Sequence, residues 1–317
     1  RYQRDDAAGP AAATGFPAIA DCNGVNLPAQ ASAWTEWIRS GEWASDDKAA
    51  VPMLPANVQE LVVLAVDPDV ALWKVAGAVG KDPVLAAQVM RMANTVGVTP
   101  GRAVVTIDEA VRRLGSQAVR NVVLAGCLST QMADPRVYGN RGREIADHCL
   151  GTAIIAGKLS ERVDLSGELF LAGLLHDIGK LLVLKLAYEY EKETGSRPGH
   201  DAVEEILRVR HAQLGGWLAV RWQIPEAITE CIIWHHDPEW AADRQSVAII
   251  YAANRLAHRY GFGCELDRSN LLTDPTMVEA GVDDHVLAKL DLAATKHYED
   301  MRRALPDERR TLRSAVG

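Results

Sequence analysis

The sequence predicts an all-α fold, with an N-terminal helical subdomain followed by a larger helical core. Three observations carry that prediction. Apolar residues recur at helical spacing from about residue 52 onward. Helix start and stop signals punctuate the same stretch. No clear run of alternating apolar and polar residues competes with them. With 48% hydrophobic and 24% charged residues in a chain of 317, there is ample material for a core.

Residues 1–48, rich in Ala, Gly, Pro and Asp, read as a flexible lead-in. Within them AWTEWIRSGEW carries three tryptophans and reads as a short helix with an apolar stripe. Residues 49–265 read as one domain. Its first part, 49–133, is a set of short helices, beginning with the spacing of Leu61, Leu64 and Ala65. The pairs Asp67-Pro68 and Asp82-Pro83 place an N-cap before a first-turn proline. Thr106 and Glu109 form a capping box, and Gly115 closes that helix. QAVRNVVLAGCL follows and is apolar on most sides, as a buried helix would be. DPRVYGNRG, 134–142, reads as a turn-rich linker. The second part, 134–265, then continues as helices. Residues 266–317 hold one or two more, notably in DHVLAKLDLAATKHYEDMRRAL.

The formal net charge is −8 and the pI about 5.6, so direct nucleic-acid binding is not expected. Arg302, Arg303, Arg309, Arg310 and Arg313 cluster near the end, but interspersed acidic residues make them a solvated helix face. Five scattered cysteines with no C-x-x-C pair argue for a reducing compartment. No apolar run reaches the roughly 20 residues that span a bilayer. The reading is a cytoplasmic protein without a membrane segment.

The chemistry is concentrated in FLAGLLHDIGKLLVL, residues 170–184, where His176 and Asp177 interrupt an apolar helical run. Burying a charge is costly unless it is paired or bound to a metal. Candidate partners exist elsewhere in the chain. Glu144 and His148 lie four residues apart, on one face of an upstream helix. His211 sits in VRHAQLGGW, and His235 and His236 end the helix ITECIIWHH. Imidazole with carboxylate suits iron, manganese, zinc or similar ions. Facing helices of a bundle are where dinuclear sites are built. A carboxylate bridging two cations is suited to phosphoester hydrolysis. His200, His258, His285 and His297 read as core or surface histidines, and Asp237, before Pro238, as a turn residue.

The order of His148, the His176-Asp177 pair, His211 and the His235-His236 pair resembles the HD superfamily of metal-dependent phosphohydrolases. More closely, the chain resembles an HDOD domain, a regulatory relative of HD and HD-GYP domains, over about residues 50–260. The resemblance implies a role in bacterial signal transduction. It implies one or two divalent ions, iron or manganese first, with zinc, nickel or magnesium as alternatives. The ligands it implies are Glu144, His148, His176, Asp177, His211, His235, His236 and Asn254. Asn254 stands where the superfamily carries an aspartate, and HHDPEWAADR lacks the Gly-Tyr-Pro signature of HD-GYP enzymes. The expected output is therefore binding of a signalling partner protein or a nucleotide-type ligand. The alternative is hydrolysis of a nucleotide or cyclic nucleotide, with Asp177 bridging and Lys180 steadying the phosphate.

Overall fold

The computed structural model describes residues 33–40, 44, 71–81, 83–95, 103–131, 134–161, 166–263, 266 and 269–305. The chain divides into two compact units, residues 1–49 and 50–317. In the first, α1 (Ala33–Ser40) carries Trp34 and Trp37 with their rings stacked 5.7 Å apart. Leu61, Leu64, Ala65 and the Asp67-Pro68 pair lie outside the described residues.

The second unit is built of helices joined by turns, with no strand among its described residues. It opens with α2 (Leu72–Gly80), α3 (Pro83–Thr95) and α4 (Ile107–Gln131). Both α2 and α3 pack on α4. The hydroxyl of Thr106 accepts from the amide of Glu109 at 3.2 Å, one half of the predicted capping box. Gly115 (φ 79°) breaks α4 where the sequence placed a stop, but helix resumes at once, so two helical stretches run on as one element.

The core is formed by α5 (Pro135–Ser160), α6 (Ser166–Leu175), α7 (Ile178–Thr194), α8 (His200–Arg221), α9 (Glu226–Trp234) and α10 (Arg244–Tyr260). Two short helices follow the core, of which α11 (Pro275–Glu279) is the second, and α12 (Asp284–Ala304) closes the described chain. The segment 134–142 is not the linker its glycines and asparagine suggested. Asp134 caps the helix by accepting from the amide of Arg136 at 3.0 Å, and Pro135 takes the first turn. Only Gly139 (φ 55°) bends the element.

The long helix α5 is the axis of the core. It packs against α6, α10 and α12, and less extensively against α7. Its inward face is apolar and closed, with Ala153, Ile154, Ile155 and Ala156 fully buried. The hairpin of α7 and α8 is held very close. A Cβ on Gly179 would overlap the carbonyl oxygen of His211 and stand 2.6 Å from the amide nitrogen of Gly215. The glycines of HDIGK and LGGW therefore set the distance between two helices that carry site residues.

Candidate metal centre

His176 and Asp177 do not sit inside a helix. They form the turn between α6 and α7, so the apolar run containing them is two helices rather than one. The turn points both side chains inward, where they are essentially fully buried (0% and 1% exposed). His148 comes from α5, His211 from α8, and Asn254 from α10. His235 and His236 directly follow the end of α9. Four of the five histidines, together with Asp177 and Asn254, are buried, while His236 is exposed.

Asp177 is central to this arrangement. Its Oδ2 lies 3.4 Å from Nε2 of His176 and 3.7 Å from Nε2 of His148. Its Oδ1 lies 3.2 Å from Nε2 of His211 and 3.7 Å from Nε2 of His235. The potential ligand atoms fall into two triplets, each within 4.8 Å of one another: His148, His176 and Asp177, and His211, His235 and His236. Asn254 Oδ1 joins the first, 2.9 Å from Nε2 of His148.

The outward nitrogens explain how the rings are aimed. Nδ1 of His176 donates to the carbonyl of Gly173 at 2.8 Å, Nδ1 of His211 to Leu207 at 2.6 Å, and Nδ1 of His235 to Ile232 at 2.8 Å. A carbonyl only accepts, so each Nδ1 holds the proton. Each Nε2 is left with a lone pair facing inward, the usual support for a metal-binding imidazole.

The donor set fits cations. Nε2 of His211 lies 3.2 Å from Nε2 of His235 and 3.0 Å from Nε2 of His236. A proton shared between His211 and His235 would place a charge on a buried ring. Burial instead holds His235 well below the ordinary histidine range. Two donors each about 2.1 Å from one ion, at about a right angle, stand roughly 3 Å apart, which matches these separations. Nε2 of His176 and Oδ1 of Asp177 are buried without a hydrogen bond. Buried polar atoms without partners are uncommon and call for an explanation, such as an ion.

Electrostatics favour an ionised carboxylate. Burial alone would raise Asp177, but the Lys180 ammonium outweighs it and holds the carboxyl well below its usual range. Burial, reinforced by His176, pushes His148 down to about 3, so its ring is neutral at physiological pH.

A cavity of about 1090 Å³ opens over the centre and reaches His148, Asp177, Lys180, His211 and His236. Lys180 is half-buried in its wall and bonded to Asp177 Oδ2 at 2.5 Å. Glu144 lines the same cavity but is exposed and belongs to neither triplet. His258 is a residue that sequence reasoning passed over. Its ring centroid lies 4.6 Å from that of His148, and it too lines the cavity. Its signal was present in the sequence: it stands four residues after Asn254, on the same face of α10.

The family model for the HDOD domain matches residues 51–238. The solved structure of an HDOD domain protein of unknown function from Geobacter sulfurreducens is 25% identical. It superposes with a TM-score of 0.64 over 80% of this chain and 93% of that one. A candidate phosphohydrolase from Shewanella amazonensis SB2B is also 25% identical, with a TM-score of 0.56 over 80% of this chain and 94% of that one. An uncharacterized protein of Treponema pallidum (strain Nichols) is 26% identical over 199 residues. That match covers 59% of this chain and only 38% of the Treponema protein.

Proposed function

The chain belongs to the HDOD domain family, and we propose that it is a regulatory module of bacterial signal transduction built around a dinuclear divalent-metal site. The observation that carries this reading is the division of the Asp177 carboxylate, one oxygen toward each histidine triplet. His148, His176 and Asn254 would hold one ion, and His211, His235 and His236 the other, with Asp177 shared. Bound ions would supply Lewis acidity and neutralise the buried carboxylate. The protein fixes the tautomers of His176, His211 and His235 through the carbonyls of Gly173, Leu207 and Ile232. The output is binding of a signalling protein or a nucleotide-type ligand at the cavity. Iron or manganese suits the mixed imidazole and carboxylate set.

Elemental analysis of the purified full chain tests this directly. The expected result is two equivalents of iron or manganese. A chain that holds no ion even after reconstitution would sink the reading and leave the histidines as a packed relic.

A second reading, hydrolysis of a nucleotide or cyclic nucleotide, is favoured by one feature. The cavity opens on Asp177 and Lys180 together, so a phosphate could be met by an ammonium beside the centre. The name of the Shewanella neighbour points the same way. Release of nucleoside monophosphate from cyclic nucleotides by the metal-loaded chain would support it. Complete absence of product, in protein shown to carry both ions, would exclude it for those substrates.

A further inference from the structure

A second cavity, of about 590 Å³, lies beside the first, between the start of α5, the outer face of α7 and the start of α8. Its volume is in the range of small-molecule sites. Three guanidinium groups line it: Arg136 and Arg141 from α5, and Arg197 from the loop before α8. Glu191 and Glu204 line it as well, so the wall alternates guanidinium and carboxylate groups, and the arginines are the donors it offers to an anion. Between them the wall is apolar, formed by Val137, Leu184 and Val203, and two tyrosine rings, Tyr138 and Tyr188, complete it. Nζ of Lys185 and of Lys192, both paired with Glu189, stand 5.4 and 5.5 Å from the Tyr188 ring.

Each arginine is paired in this structure. Arg136 bonds Asp134, Arg197 lies 3.8 Å from Glu191, and Arg141 grips both oxygens of Glu204 at 2.7 and 2.6 Å. These are solvent-exposed pairs of small net worth, so a ligand anion can take a guanidinium from its carboxylate at little cost. Arginine's planar fork suits a phosphate, and the apolar and aromatic wall suits a flat ring. Asn140 and His200, also in the wall, can hydrogen-bond a polar ring.

We propose that this cavity is a second ligand site, for a small phosphate ester carrying a planar ring, the chemical class of a nucleoside monophosphate. Arg141 and Glu204 line both this cavity and the one over the histidines. An anion that draws Arg141 away leaves the Glu204 carboxylate uncompensated on the metal side. Occupancy here therefore alters cation affinity there. The binding claim stands alone, and the coupling rests on the metal reading above.

The test is calorimetric titration of the full chain, stripped of metal with chelator, with adenosine and guanosine 5′-monophosphates. Inorganic phosphate and adenosine serve as part-ligands. The expected result is one saturable site, with a nucleotide bound about tenfold or more tighter than either part. Arg197→Ala should weaken it about tenfold, the loss of one charge-assisted hydrogen bond. His236→Ala, in the other cavity, should leave it unchanged. No saturable nucleotide binding overturns the proposal. So does binding lost in His236→Ala but kept in Arg197→Ala, which would place the ligand over the histidines. Saturating nucleotide should then shift the Mn²⁺ dissociation constant about threefold or more in the wild type, but not in Arg141→Ala. An unshifted constant overturns the coupling. Absence of any Mn²⁺ binding overturns the metal reading and the coupling with it, while the nucleotide result still decides the second site.

Discussion

Nζ of Lys180 lies 2.5 Å from Oδ2 of Asp177, so the carboxylate at the middle of five histidines has a counter-charge supplied by the chain itself. The ammonium comes from one turn further along α7 and bonds the oxygen that faces His148 and His176. An ion bound at that oxygen must compete with it.

Removing the competitor has a defined sign. Lys180→Met should tighten Mn²⁺ binding several-fold, because a like charge beside the site is lost. It should also destabilise the metal-free protein by about 1–3 kcal/mol, because a buried carboxylate loses its partner. Paired metal titration and urea unfolding would show both effects. Weaker metal binding in the variant would mean that Lys180 supports the site instead of competing with the ion.

The two triplets should be separable by mutation. His235→Ala removes a donor from one triplet only and should leave about one equivalent of metal. Asp177→Ala removes the shared carboxylate and should leave none. Elemental analysis of both variants decides this. Two full equivalents surviving in either would refute the assignment of ligands.

Gly179 cannot take a side chain. The atoms in the way are backbone atoms of α8, not the far end of a flexible side chain, so neither helix yields easily. Gly179→Ala should cost about 1–3 kcal/mol or more, as overpacking does, and should reduce metal occupancy by displacing His211. Denaturant midpoints with metal content would check it. Wild-type stability and full occupancy would show the hairpin to be looser than its spacing implies.

Acid should destabilise the metal-free protein early. His148 is depressed to about 3 when folded but titrates near 6.5 when unfolded. Below 6.5 the unfolded chain therefore binds the extra proton. Stability is fully present above that pH and falls as pH drops toward 3. His235 is depressed too and adds to the same slope. Each contributes about 1.4 kcal/mol per pH unit within the window. Asp177, also depressed, contributes only below its unfolded value near 4. Urea midpoints at pH 7.5, 6 and 5, compared with those of His148→Gln, measure the first contribution. Identical pH profiles for the two proteins would refute it.

Much of the fold was legible in the sequence because its signals are local. The period of apolar residues, the Thr106 cap and the stop at Gly115 depend on neighbours within a turn or two. The misreadings were local as well. Segment 134–142 was weighed by its glycines and asparagine, although Asp134-Pro135 carries the same start signal used elsewhere. The apolar run around His176 has the composition of a helix on both sides, and composition does not mark a turn whose two polar residues face inward. His258 was passed over because one histidine on a helix face resembles any other until its neighbour is known.

By itself the sequence determined the all-α fold class, that its HDOD-like signature lies within residues 50–260, and a set of candidate cation ligands. Those properties follow from residue type and from spacing along one element. Only the tertiary structure decided that Asn254 meets His148 across 106 positions, that His211 reaches Asp177, and that Glu144 stands at the rim. It also gave each Asp177 oxygen its own triplet and placed an arginine-lined cavity against the first. These depend on how α5, α7, α8, α9 and α10 pack, and such contacts join residues far apart in the chain, which helical periodicity does not encode.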